Sequence, residues 1–199
     1  MPETLIHRVE TGAERALEEY VQTVRGHVEG PAPIEETVEN IVQAQTELIS
    51  PEFQMPDAYR RVKEGAPYTR NLVYQDPSNR FSVISICWGP FQETSVHDHI
   101  HWCVVGVLEG AIHAIDYQRL DDETEQGRAR LAIHESTLHP AGSVIGLTPP
   151  PRTNIHKMSN GGHAQAISLH TYGDAGTKAR VFAPVAGTFE IVDLEFHNP

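Results

Sequence analysis

Only two cysteines occur in the 199 residues, too few for a disulfide framework. Basic residues are also scarce. Fifteen Lys and Arg against 27 Asp and Glu leave a formal net charge of −12 at pH 7. That balance repels nucleic acid and anionic membrane surfaces, so neither is expected as a partner. No apolar run approaches the length that spans a bilayer, and no targeting segment is recognisable, so a reducing cytoplasmic setting is expected. Internal repeats and low-complexity tracts are missing as well. Hydrophobic residues at 39% and charged residues at 21% are ordinary for a globular protein and exclude global disorder. The length suits one domain over 1–199, expected as a monomer, able to bury roughly 70% of its unfolded surface. What the chain has in plenty is histidine, with twelve. Either these are scattered solvated side chains, or some of them form a metal site.

Residues 1–64 read as helical. Leu17, Tyr20, Val21 and Val24 fall on one face of a helix expected from Leu5 to about Val28. Gly26, Gly30, Pro31 and Pro33 break that pattern. A second helix is expected from Ile34 to Leu48, stopped by Ser50-Pro51, and a third over about Asp57–Glu64. From residue 65 the texture changes to short β-rich runs. Expected strands cover Arg70–Tyr74, Phe81–Trp88, Val96–Leu108, Ala111–Tyr117, Leu131–Ile133, Val144–Leu147, Ala164–Tyr172 and Phe189–Leu194. Turn clusters such as Asp76-Pro77-Ser78-Asn79, Glu109-Gly110 and Pro149-Pro150-Pro151 separate them. Many short strands at this spacing predict a mainly β sandwich or barrel with N-terminal α-helices. The acidic run Asp121–Glu125 reads as a solvated loop.

Chemistry concentrates in Ser95-Val96-His97-Asp98-His99-Ile100-His101-Trp102-Cys103. On one continuous strand, His97, His99, His101 and Cys103 share a face, and Asp98 points away from it. Two imidazoles at i and i+2 can hold a single metal ion once a third ligand arrives from elsewhere. A half-exposed polar strand explains the same short pattern equally well.

Further motifs follow in order: Gly110, seven residues after Cys103, then Pro140-x-Gly142, then His156 with Asn160. Together they resemble the two-part signature of the cupin superfamily, a double-stranded β-helix (jelly-roll) barrel. His97 and His99 match its His pair, Gly110 its glycine, and His156 with Asn160 its second motif. The acid that usually completes the first motif is replaced by Cys103. That departure resembles the thiol dioxygenases, and most closely the cysteine dioxygenase family. Tyr68-Thr69-Arg70-Asn71 is similar to the family segment whose Arg grips the substrate carboxylate. Ile86-Cys87-Trp88-Gly89 resembles the approach to its metal strand, and Ser168-Leu169-His170-Thr171-Tyr172 its Ser-x-His-x-Tyr relay. The resemblance covers about residues 30–175.

The resemblance implies an Fe(II) cofactor held by His97, His99 and His156, with a small thiol and O2 as reactants. Three neutral ligands leave the ion a full positive charge that favours a thiolate. Both atoms of dioxygen end on sulfur as a sulfinic acid, and no external reductant is needed. Arg70, beside Tyr68, supplies a fork for bidentate pairing with a carboxylate. One branch of the family carries Gln instead and acts on mercaptopropionate, so Arg70 points to L-cysteine. Tyr172 is implied near the reacting oxygen, oriented by His170, with Ser168 setting the tautomer. In animal members a Cys near this point is joined by a thioether to the relay Tyr. Here Cys103 stands one residue closer to the His pair, and a Cys103–Tyr172 crosslink is left open. His101 is expected to line the barrel without coordinating. A dioxygenase of another carboxylate thiol, a non-catalytic metal-binding cupin and a zinc hydrolase remain as rivals. The last lacks an evident Glu or Asp base.

Overall fold

In the computed structural model, residues 12–148 and 154–198 are described. The expected helix start at Leu5 and the Pro149-Pro150-Pro151 turn lie outside them. Helix α1 spans Gly12–Glu29 and α2 spans Ile34–Leu48, the latter with the boundaries the sequence predicts. The expected third helix is absent. Asp57–Tyr59 makes a single 3-10 turn. Helix propagation there is replaced by side-chain pairing: the Tyr59 carbonyl accepts from Ser85 Oγ at 2.8 Å, and the Arg61 carbonyl accepts from Asn71 Nδ2 at 3.3 Å.

Eleven strands follow among the described residues: β1 (Thr69–Gln75), β2 (Ser82–Trp88), β3 (Val96–Asp98), β4 (Cys103–Glu109), β5 (Ala111–Arg119), β6 (Leu131–Pro140), β7 (Val144–Leu147), β8 (Ile155–Asn160), β9 (Ala166–Tyr172), β10 (Lys178–Ala183) and β11 (Thr188–Asp193). They form two antiparallel sheets, β1-β2-β9-β4-β7 and β11-β10-β3-β8-β5-β6. This is the mainly β double-stranded helix with two N-terminal helices that the motifs imply. Strands β8 and β10 are additions to the expected set, β8 with a largely polar sequence and β10 with Val181 and Phe182 among charged and small residues. Each is recruited by neighbours on both sides, β8 between β3 and β5, and β10 between β11 and β3.

The five-stranded sheet has two working faces, and period-2 alternation divides them. Val83, Val104 and Leu169 point outward and join Leu17, Tyr20, Val24 and Ile41 of the helices in one core. Ile84, Ile86, Cys103, Val105 and Tyr172 point inward and line the barrel in another. Close helix–sheet approach needs small residues: a Cβ on Gly146 would lie 2.7 Å from Val38 Cγ1 of α2. A buried network locks the contact. Tyr20 Oη donates to Gln45 Oε1 at 2.8 Å, and Gln45 Nε2 donates to the Leu169 carbonyl at 2.8 Å. The motif glycine Gly110 sits at φ +72° in the β4–β5 turn, with Ala166 2.9 Å from where a Cβ would stand.

The expected continuous strand Val96–Leu108 is two strands in different sheets. The chain leaves the six-stranded sheet after Asp98 and enters the five-stranded sheet at Cys103. The corner is held where Gly173 N–H donates to the Trp102 carbonyl at 2.9 Å. Alternation therefore does not run from His97 to Cys103. His101 is more than half exposed, 4.0 Å from Asp174 at the cavity mouth. Asp98 is buried and accepts from Arg180 Nε at 2.9 Å, the structural position expected of it.

Candidate metal centre

Three imidazoles meet where β3 pairs with β8. His97 lies opposite His156 in that register, and His99 reaches the same point from the corner after β3. One ring nitrogen from each lies within 4.8 Å of the others, so the three can hold a single ion. The ring centroids are 4.7 to 5.1 Å apart. His99 and His156 are buried, yet neither ring nitrogen of His99, nor Nε2 of His156, has a hydrogen-bond partner among the described residues. Orphaned buried nitrogens are costly unless something else satisfies them, and a metal ion does. Burial holds all three rings well below the ordinary imidazole pKa, so they are neutral with lone pairs available. Neighbouring rings add to the effect at His99 and His156, because a second positive charge there would be repelled. Two contacts aim the ligands. His97 Nδ1 meets the Ser95 carbonyl at 3.0 Å, and Asn154 Nδ2 holds the His99 carbonyl at 3.1 Å.

Strand β9 supplies a second set. Ser168, His170 and Tyr172 alternate onto its inner face, as the spacing predicts. Trp88 Nε1, which can only donate, bonds Ser168 Oγ at 2.9 Å. The Ser168 hydroxyl then places its own hydrogen on His170 Nε2 at 2.9 Å. This pattern assigns the remaining ring proton to Nδ1, which donates to Tyr172 Oη at 3.1 Å. The phenolic hydrogen is left for the cavity. Burial lowers His170 to about 3 and raises Tyr172 well above its usual value, so both are neutral. The Tyr172 ring stands 5.1 Å from that of His99, which brings the relay beside the ligands.

Cys103 faces Tyr172 directly in the β4–β9 register and is fully buried in the same inner core. Burial, followed by the charge of Asp174, pushes its thiol pKa well up. Arg70, on β1, is 3% exposed. It shares a cavity of about 300 Å³ with Tyr68, His97, His99, His170 and Tyr172. Tyr68 lies just before β1 and stacks on Trp88, the ring centroids 5.3 Å apart.

Tyr68, Arg70, His97, His99, His170 and Tyr172 line one cavity; His156 joins His97 and His99 beside it, Ser168 reaches it through His170, and Cys103 lies opposite Tyr172, while His101 stays outside the ligand set. Three contributors carry no sequence signal of their role: Trp88 as donor to the relay, Asn154 behind His99, and the Gly176 and Glu195 carbonyls that accept from Arg70.

The family model for Cysteine dioxygenase type I matches residues 35–183. Cysteine dioxygenase type 1 of Danio rerio is 25% identical over 205 residues, covering 98% of this chain and 90% of the fish protein. The Homo sapiens protein is 27% identical over 135 residues, covering 66% of this chain and 63% of the human protein. Among solved structures, a Klebsiella pneumoniae protein with a double-stranded β-helix domain aligns at TM-score 0.45 and 18% identity, over 72% of this chain and 99% of that one. An oxalate oxidase aligns at TM-score 0.46 and 16% identity, over 67% and 64%. The family match takes in Arg70, the three histidines and the whole relay, and the chain belongs to the cysteine dioxygenase type I family.

Proposed function

We propose that this protein is an iron-dependent thiol dioxygenase that converts L-cysteine and O2 to cysteine sulfinic acid. The observation that carries the reading is a single cavity lined by metal-ligating imidazoles, a buried guanidinium and a relay-bound phenol. Iron(II) on His97, His99 and His156 supplies the redox chemistry that joins thiolate sulfur to dioxygen. Thiol and dioxygen combine with no atom lost, so the protein needs no reductase partner. Arg70 pairs with the substrate carboxylate and fixes where its sulfur lies. Tyr172 donates its phenolic hydrogen to negative charge that develops beside the ligands. Its direction is set by His170, and that of His170 by Ser168 and Trp88. Apolar walls, including Trp102, Ile86 and Met158, limit water around the sulfur.

The same site favours a thioether between Cys103 Sγ and the Tyr172 ring carbon next to the hydroxyl. As the C–S bond forms, the S–H and C–H bonds give up two protons and two electrons in all, which reduce dioxygen to hydrogen peroxide. The two residues already face one another in register.

Anaerobic loading with Fe(II) and then oxygen uptake with L-cysteine, 3-mercaptopropionate, mercaptosuccinate and cysteamine tests the reading. Uptake led by L-cysteine, with a sulfinate product, is expected. No uptake with any thiol makes the protein a binding cupin, and preference for 3-mercaptopropionate reassigns the substrate. Intact mass of the same sample reads the crosslink as a loss of two hydrogens. A free Cys103 thiol after extended turnover excludes it.

A further inference from the structure

Strand β1 is the edge of its sheet, and its free side is covered by the segment Leu194–Asn198 that follows β11. His197 N–H donates to the Arg70 carbonyl at 2.8 Å, and Arg70 N–H donates to His197 Nδ1 at 2.9 Å. The Asn198 side chain closes a second pair: Leu72 N–H donates to its Oδ1 at 2.7 Å, and its Nδ2 donates to the Leu72 carbonyl at 2.8 Å. Between these and β11, Glu195 and Phe196 pass over the Arg70 side chain. The Glu195 carbonyl accepts from one terminal nitrogen of Arg70 at 3.3 Å, and the Gly176 carbonyl accepts from the other. The Phe196 ring lies under the guanidinium, 5.1 Å from its centre. Leu194 itself lines the cavity. The segment Leu194–Asn198 lies beyond residue 183, where the family match ends.

We propose that Leu194–Asn198 is a clasp that sets the affinity of the site for the carboxylate of its substrate by holding Arg70 in place. The inference rests on the assignment of Arg70 as the carboxylate-binding group. A free arginine must order a long side chain before it can pair bidentately; a clasped one is ordered in advance. The nature of the clasp matters as much as its presence. Aspartate or glutamate partners would order the fork but neutralise it. Backbone carbonyls and an aromatic face order it and leave its full charge for the incoming anion. Two of the five N–H donors are spent on carbonyls, and three remain for a carboxylate. Phe196 and His197 are thus positioning residues that act through Arg70.

The test compares the full chain with Phe196→Leu, Phe196→Trp and a chain ended after Asp193. Reaction of Arg70 with phenylglyoxal, located by peptide mass, reads the clasp without any turnover. Ending the chain after Asp193 is expected to speed that modification about tenfold or more, since local opening then exposes the guanidinium. In turnover, Phe196→Leu is expected to raise KM for L-cysteine about threefold to tenfold, with kcat nearly unchanged and Phe196→Trp close to wild type. KM for cysteamine, which has no carboxylate, is expected not to move. Equal protection of Arg70 in the full and shortened chains overturns the proposal. So does an unmoved KM for L-cysteine in Phe196→Leu, or an equal rise for both thiols. If the wild type oxidises no thiol, the dioxygenase reading falls, and Arg70 protection still decides the clasp.

Discussion

Two groups of histidine meet beside one cavity, and they are treated in opposite ways. His97, His99 and His156 sit close together, and three of their nitrogens are unpartnered among the described residues. His170, a few ångströms away on β9, has both nitrogens bonded, one to Ser168 and one to Tyr172. Desolvation keeps all four neutral, so charge does not distinguish them. Hydrogen-bond completeness does. An unsatisfied set is built to receive a ligand from outside, whereas a satisfied one is built to hold a direction.

Removing one member from each group breaks the comparison most sharply. His99→Ala or His156→Ala is expected to weaken Fe(II) binding by more than about a hundredfold, read as metal content after dialysis against a chelator. The fold should survive, because those three nitrogens bond nothing among the described residues. Ser168→Ala is expected to keep the metal and lower kcat about tenfold to a hundredfold, because the His170 tautomer is no longer set. Trp88→Phe, which removes the indole donor along with part of a buried ring, should do the same more weakly. Metal lost from Ser168→Ala, or kept by His99→Ala, would erase the distinction.

The smallest effect is on stability against pH. The folded-state pKa of His170 is lowered to about 3 by burial, from 6.5. Below about pH 6.5 the unfolded chain therefore binds more protons than the native one. Its contribution is complete above that pH and is lost as pH falls towards 3. The metal-free triad acts in the same direction, with His97 at about 4. The urea midpoint should drop between pH 7 and pH 5, and less so in His170→Gln. Added metal should recover the share of the triad and leave that of His170. A midpoint flat across this range would show that these rings are not desolvated.

Much of this was legible locally. The α2 boundaries, the strand β7 and the inner-face alternation of Ser168, His170 and Tyr172 follow from periodicity and breakers that act within a few residues. The same reasoning failed between His99 and Trp102. Alternation assumes that a strand continues, and a corner between two sheets ends it. Strands β8 and β10 stayed hidden because pairing on both sides, β8 with β3 and β5 and β10 with β11 and β3, defines each more than its own periodicity does.

The twelve histidines and two cysteines by themselves determined the chemistry on offer: neutral nitrogen ligands in one motif order, no disulfide, and one thiol where a carboxylate usually stands. Only the tertiary structure decided which of them act together. It separated His101 from His99, put Cys103 opposite Tyr172 although it left the strand of His97, and laid residues 194–198 across Arg70. The physical reason is that side-chain identity is a local property. Orphaned nitrogens, an ordered guanidinium and a directed phenol are relations between strands that only packing brings within reach.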